Sequence, residues 1–454
     1  MKKIELNLDY PKVLADRTNE VHLAVGMEAQ KLKAKERGPV AFCVCLDRSG
    51  SMQGEKFEYA KQACMGVVES LQGDDLFSLV TFDNDSEVVI PLGKIKSKSE
   101  TIEQIRKMEV QGMTNLSGGW QDARAQLRKA EPNLLRRMLL LSDGMTNRGE
   151  VDHEELIKMA RAGLMEDEVR TTCLGFGDHY NEDLLKDMAA HGTGNFYDVD
   201  VAGKLPAVFA AELDSALHIA VKKLRVRFRP SKRCKEWKFL GALPTDDLGD
   251  GWHEFMAGDM GSEETRACAL RMLLEPMSKK GKVLELKFIY DLVTEEGTRE
   301  VVEEKKVKVE VTSNKDEVTI NLGALKVTSA QRSADVIRQA IDLMDEGRDQ
   351  DALNLMEEMV NEFKALNQPE LVSDAIGALE GTIKKIRDGW SRVRGRKFAS
   401  YGASSFSKMS SKEVWSVNER DMSMPSFKQS SLQITDTRVR MMNCNPRQKR
   451  RAVR

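Results

Sequence analysis

The sequence predicts an α/β fold: a mostly parallel sheet covered by helices on both faces and inserted in an antiparallel β-sandwich, followed by a small helical bundle and a disordered tail. Three observations carry this. An apolar run, Val40 to Leu46, stops at Asp47-x-Ser49-x-Ser51, just ahead of a helix from Glu55 to Leu71. From there to residue 221, apolar strands alternate with amphipathic helices, which is the order of a parallel sheet covered on both faces. On either side the periodicity falls to two, the mark of antiparallel strands.

Taken in order, residues 1–38 read as two strands. Ile4, Leu6 and Leu8 alternate with polar residues, and so do Val21, Leu23 and Val25. A lone hairpin is marginal in water, so its partners must lie elsewhere in the chain. Residues 39–221 hold the strand–helix alternation. Strands are expected at Leu76 to Phe82, Glu87 to Ile90, Arg137 to Ser142, Val169 to Phe176 and Asn195 to Val199. Helices are expected at Lys98 to Met108, Leu116 to Ala130, His153 to Met165, Asn181 to Ala190 and Lys204 to Val221. Open α/β sheets of this kind bind their ligands at the carboxyl ends of their strands.

Residues 222–327 return to alternation, at Lys223 to Arg229, Trp237 to Leu240, Arg266 to Leu274, Val283 to Tyr290 and Arg299 to Val311. The N-terminal hairpin is expected to join this sheet. Residues 328–388 resume helical period in three stripes, led by Ala334, Ile337 and Ile341, by Ala352, Leu355 and Met359, and by Leu371, Ile376 and Leu379. Gly347 and Pro369 separate them. Their methionines read as ordinary core. Residues 389–454 lose periodicity and carry 15 Lys and Arg against 4 Asp and Glu, so a disordered basic tail is expected. Its end, Lys449 to Arg451, reads as a nuclear address, an anion contact or a merely solvated run. Contact with nucleic acid or an anionic surface is expected only through that tail.

Composition narrows the class. With 41% hydrophobic and 31% charged residues and a net charge of −2, the chain reads as soluble and globular. No apolar run approaches the ~20 residues a transmembrane helix needs. The start is basic but then alternates, which reads as a strand and not as an export signal. Seven scattered cysteines without a Cys-x-x-Cys pair suit the cytoplasm, with the nucleus as the alternative. Scattered histidines make a zinc site a poor reading.

Asp47, Ser49 and Ser51 place three hard oxygens on one loop at the carboxyl edge of a strand, which suits a hard cation. The stretch resembles the first loop of the metal-ion-dependent adhesion site (MIDAS) of von Willebrand factor A (vWA) domains. Thr114, in Gly112-Met113-Thr114-Asn115-Leu116-Ser117-Gly118-Gly119, resembles the second loop, and Asp143, in Leu140-Leu141-Ser142-Asp143-Gly144, the third. Phrases such as Phe239-Leu240-Gly241 and Leu286-Lys287-Phe288-Ile289-Tyr290-Asp291 resemble bacterial-type cytosolic vWA proteins, some labelled calcium-activated chloride channel-like. The channel label does not carry over, because no segment read here could cross a bilayer.

The resemblance implies a doubly wound, Rossmann-like strand order with a metal site near its switch point. Ser49, Ser51 and Thr114 would reach the ion directly, and Asp47 and Asp143 would act partly through water. Mg²⁺ is the expected ion, with Mn²⁺ or Ca²⁺ as alternatives. Neutral hydroxyls leave the ion an open position, which a Glu or Asp carboxylate of a partner protein can fill. The expected function is a cation-dependent protein-binding adaptor or scaffold, not an enzyme. One alternative is a substrate-recruiting subunit of an AAA+ ATPase machine; a more distant one is a metallohydrolase. The last would need a base, for which Asp83, Asp85 and His179 are candidates, although ordinary loop polarity is the preferred reading of all three. There is no Gly-x-x-x-x-Gly-Lys-[Ser/Thr] loop, and no Cys/His framework for a RING.

Overall fold

A computed structural model describes residues 1–32, 38–132, 134–177, 180–199, 201–240, 243–294, 297–366 and 369–387. The described residues divide into two compact units, one built from residues 38–219 and the other from residues 1–32 with residues 220–387.

The chain opens with strands β1 (Lys3–Leu8), β2 (Lys12–Leu14) and β3 (Asn19–Glu28). It then builds the first unit: β4 (Val40–Asp47), α1 (Glu55–Ser70), β5 (Leu76–Phe82), β6 (Ser86–Gly93), α2 (Lys98–Arg106) and α3 (Leu116–Leu127). There follow β7 (Leu135–Ser142), α4 (His153–Asp167), β8 (Val169–Phe176), α5 (Glu182–His191), β9 (Thr193–Val199) and α6 (Leu205–Leu217). The six strands lie in the order β6-β5-β4-β7-β8-β9, parallel throughout except for the antiparallel edge strand β6. This is the doubly wound order, and its direction reverses between β4 and β7.

β4 shows why both faces must be covered. Val40, Phe42, Val44 and Leu46 pack in one apolar core with α1, α2 and α6. Ala41, Cys43 and Cys45 enter the opposite core with α3, α4 and α5. Successive side chains on a strand point to opposite faces, so an unbroken apolar run is what a doubly covered strand requires.

The second unit continues with β10 (Ile219–Pro230), β11 (Cys234–Phe239), β12 (Thr245–Gly249), β13 (Trp252–Gly261), β14 (Thr265–Leu274), β15 (Gly281–Thr294) and β16 (Gly297–Thr312). One sheet runs β1-β3-β14-β11, the other β12-β13-β10-β15-β16-β2. Both contribute to one core, in which Val21, Leu23 and Val25 of β3 meet Phe228, Phe255, Leu286 and Phe288. β1 and β3 pair with each other and β3 with β14, and no N-terminal strand joins the first unit's sheet. Helices α7 (Leu322–Asp345), α8 (Asp349–Lys364) and α9 (Ser373–Arg387) share a small core of their own. α7 also rests on the sheet where Ala24 and Ala267 meet Ala324 and Val327, small residues that permit a close approach.

Several elements depart from the sequence reading. β2 was not anticipated: three residues show no periodicity, and they are held by parallel pairing to Glu310–Thr312 of β16. Nor were β12 and β13, although Gly249, Asp250 and Gly251 all adopt positive φ (82°, 50° and 73°) at the turn that joins them. α6 stops at Leu217, and Ile219, Ala220 and Val221 begin β10 as buried strand residues. α7 begins at Leu322, ahead of the expected 328, because the Asn321 side chain caps it by accepting from Ala324 N. The tail expected at 389–454 lies outside the described residues.

Candidate metal centre

β4 and β7 flank the reversal of strand order, and their carboxyl ends carry Asp47 and Asp143. Asp47 Oδ1 accepts from the Ser49 backbone N–H at 2.8 Å, and its Oδ2 accepts from Ser142 Oγ at 2.6 Å. The first contact is an Asx-type turn that folds the chain sharply out of the strand. A single 3₁₀ turn, Gly50–Met52, follows, and buried Met52 anchors it. Ser49 Oγ and Ser51 Oγ then stand 3.0 Å apart, and Ser51 Oγ donates to Asp143 Oδ1 at 2.6 Å.

Thr114 comes from the loop before α3. Its N–H donates to Asn147 Oδ1 at 3.0 Å, and Asn147 N–H donates to Thr114 O at 3.2 Å. That reciprocal pair ties the second loop to the third. The first loop is tied to the second by Gly50 N–H to Gly112 O at 3.2 Å and Gln111 N–H to Arg48 O at 2.8 Å. Gly112 has φ 75°, and a Cβ there would come within 2.8 Å of Asn84, so this turn requires glycine. Gly144 leaves the centre open: a Cβ on it would lie 3.2 Å from Thr114 Oγ1 and 3.4 Å from Ser51 Oγ. Thr114, Ser51 and Asp143 therefore surround one small space.

Asp47, Ser49, Thr114 and Asp143 are buried, whereas Ser51 is exposed and marks the open side. Burial pushes the Asp47 carboxyl up to about 6, against the lowering effect of the bonds from Ser142 and Ser49, and the charge of Asp143 pushes the same way as burial. Lys56, in the first turn of α1, places Nζ 2.6 Å from Asp143 Oδ2 and lies over the Phe176 ring at 5.3 Å. An array of hydroxyl oxygens and two carboxylates suits a hard, oxygen-seeking divalent ion. Among the described residues no group of three or more His, Cys, Asp or Glu could hold a metal ion, so this candidate depends on its hydroxyls as well as its two carboxylates.

Residues 42–211 match the von Willebrand factor type A domain family. The chain carries a vWA domain. Solved structures share the fold well beyond that domain. A von Willebrand factor type A protein from Catenulispora acidiphila superimposes with a TM-score of 0.63 at 17% identity, covering 85% of this chain and 89% of its own. The ArnB paralogue VWA2 from Sulfolobus acidocaldarius gives 0.57 at 16% identity, covering 88% and 98%. Among sequence relatives, the Synechocystis protein sll0103 is 24% identical over 298 residues, 60% of this chain and 68% of its own length. YfbK of Escherichia coli is 27% identical over 214 residues, covering 46% of this chain. Human inter-alpha-trypsin inhibitor heavy chain H3 is 29% identical over 168 residues, covering 34% of this chain. The matches span only 37% of YfbK and 18% of the inhibitor heavy chain.

The vWA fold brings all five residues singled out from the sequence, Asp47, Ser49, Ser51, Thr114 and Asp143, to the three loops at the strand-order reversal. Asp83 is instead held by Arg48, whose Nε lies 2.5 Å from Asp83 Oδ2. Burial would raise its carboxyl, but the Arg48 contact wins and holds it below the usual range. Asp85 is exposed and pairs with Arg148 at 3.4 Å. His179 lies outside the described residues. Sequence reasoning missed Ser142, Lys56 and Asn147. The Leu46–Leu141 register of β4 and β7 sets Ser142 beside Asp47, a signal visible only once the pairing is known. Lys56 and Asn147 carried none, since their roles depend on how the loops fold back.

Proposed function

We propose that the chain is a cation-dependent protein-binding module, an adaptor or scaffold whose vWA domain carries a complete MIDAS. Asp47, Ser49, Ser51, Thr114 and Asp143 would hold the ion, with Mg²⁺ the preferred choice and Mn²⁺ or Ca²⁺ the alternatives. The observation that carries this reading is the convergence of three hydroxyls and two carboxylates on one space kept open by Gly144. When bound, the metal supplies an electrophilic position that a partner's Glu or Asp carboxylate can occupy. The chain's own residues do the rest. Ser142 and the Ser49 N–H fix Asp47, Asn147 fixes Thr114, and Lys56 offsets one charge of Asp143.

A hydrolytic reading has less support, because Asp83 is engaged by Arg48 and Asp85 by Arg148. The cytoplasm is the compartment we propose. Cys43, Cys45, Cys64, Cys173, Cys234 and Cys268 are all unpaired, which suits a reducing milieu. Among the described residues no helix is long and apolar enough to cross a membrane.

The test is thermal unfolding with Mg²⁺ and with EDTA. Wild type should be stabilised by the metal, and Asp47→Ala should lose that increment. Thr114→Ala removes one neutral ligand and should weaken metal binding less. Equal melting of wild type in Mg²⁺ and EDTA, at Mg²⁺ concentrations well into the millimolar range, would reject the reading.

A further inference from the structure

Two exposed methionines stand beside candidate ligands in the chain. Met113, immediately before Thr114, is 45% exposed, and Met145, two residues after Asp143, is 55% exposed. The loops that bear them are held side by side by the reciprocal Thr114–Asn147 bonds. Met113 is fixed further by its N–H, which donates to Asn84 Oδ1 at 3.1 Å. Exposed large apolar side chains are unremarkable when scattered singly. Here two sit on neighbouring loops, each within two residues of a candidate ligand. Methionine is flexible and polarisable, and it adapts to varied apolar partners.

Charge complements this apolar rim. Asp47 and Asp143 bring two negative charges and Lys56 one positive charge, so a divalent ion leaves the centre with one net positive charge. One carboxylate neutralises it. Resting on the MIDAS reading above, we infer that Met113 and Met145 form an apolar rim that selects a protein segment whose Glu or Asp is flanked by aliphatic residues. Consecutive Cα atoms are ~3.8 Å apart. Met113 and Met145 stand one and two residues from Thr114 and Asp143, and the probes below place the aliphatic residues next to the carboxylate.

The experiment uses the full chain labelled with ¹³C at its methionine methyls. The Met113 and Met145 signals are assigned by loss in Met113→Ala and Met145→Ala. The probes are acetyl-Ala-Leu-Glu-Leu-Ala-amide, its Ser-Glu-Ser counterpart and its Leu-Gln-Leu counterpart. In Mg²⁺ the Leu-Glu-Leu peptide should move both methyl signals and bind about tenfold more tightly than the Ser-flanked peptide, the gain expected from burying roughly two methylene-sized groups. The Leu-Gln-Leu peptide, and every peptide in EDTA, should not bind. In Met113→Ser/Met145→Ser, with folding checked by its own melting curve, the preference for leucine should disappear. Mg²⁺-dependent binding with no leucine preference, or with both methyl signals unmoved, overturns the rim and leaves the metal reading standing. Absence of Mg²⁺-dependent binding by both Glu peptides overturns the rim too. The Mg²⁺ melting shift then separates the causes: its absence removes the metal reading as well, and its presence leaves metal binding intact.

Discussion

Two polar clusters in the same vWA domain are built from similar residues and behave differently. Around Glu212 of α6, Oε2 accepts from Thr172 Oγ1 at 2.9 Å, and Oε1 accepts from Asn195 Nδ2 at 2.5 Å and from the Tyr197 hydroxyl. Three neutral donors meet one carboxylate inside the domain. At the strand-order reversal, two carboxylates accept from the Ser49 N–H, the Ser142 and Ser51 hydroxyls and Lys56 Nζ, and Ser51 stands on the exposed side. A carboxylate enclosed by neutral donors makes a closed structural joint, whereas two carboxylates with three hydroxyls at an exposed loop edge offer an open array of oxygens that suits a cation.

The largest expected effect tests the closed cluster. Glu212→Ala removes the buried carboxylate that Thr172, Asn195 and Tyr197 share, and should cost about 3 kcal/mol of stability. Urea unfolding should give the same loss in Mg²⁺ and in EDTA. A loss that depends on the metal would mean that the two clusters are coupled.

A smaller effect belongs to the open cluster. With Mg²⁺ at roughly ten times its dissociation constant, wild type should gain about 1.4 kcal/mol. Asp47→Asn should abolish that gain and change little in EDTA, where the wild type holds two neighbouring carboxylates whose charge Lys56 offsets in part. The same unfolding curves check both statements.

Lys56→Met sharpens the comparison from the other side. Lys56 offsets charge on Asp143 and so would compete with a metal bound there. Because its side chain is 36% exposed, the competition is partly screened. The substitution should tighten Mg²⁺ binding about fivefold, near 1 kcal/mol. Calorimetric titration reads this directly, and weaker binding would show that Lys56 helps the metal.

The smallest effect is on pH. The Asp47 carboxyl sits at about 6 when folded without metal, above its unfolded value of about 3.9. Its contribution to metal-free stability is therefore present at low pH and lost as pH rises through 6. A metal must displace that proton, so Mg²⁺ affinity should fall toward about tenfold per pH unit below 6. Affinity that stays flat between pH 7 and 5 would place the metal away from Asp47.

Much of this was legible in the sequence because it is local. The apolar run of β4, the hydroxyls that follow it and the aspartate that follows β7 lie within a few residues of strand ends. The non-local parts were hidden. β2 exists only through its pairing with β16, and Ser142 acquires its role only when β7 lies beside β4. Lys56 needs α1 to bring its side chain across to Asp143. The turn at Gly249, Asp250 and Gly251 did carry a signal, and a closer reading of turn residues would have found β12 and β13.

Asp47, Ser49, Ser51, Thr114 and Asp143 are proposed to hold one divalent cation. Isothermal titration of Mg²⁺ into wild type, Asp47→Ala and Glu212→Ala tests this most directly, because it sets the open cluster against the closed one. The account predicts one Mg²⁺ per chain in wild type and in any folded Glu212→Ala protein, and none in Asp47→Ala. Wild-type affinity retained in Asp47→Ala would contradict it.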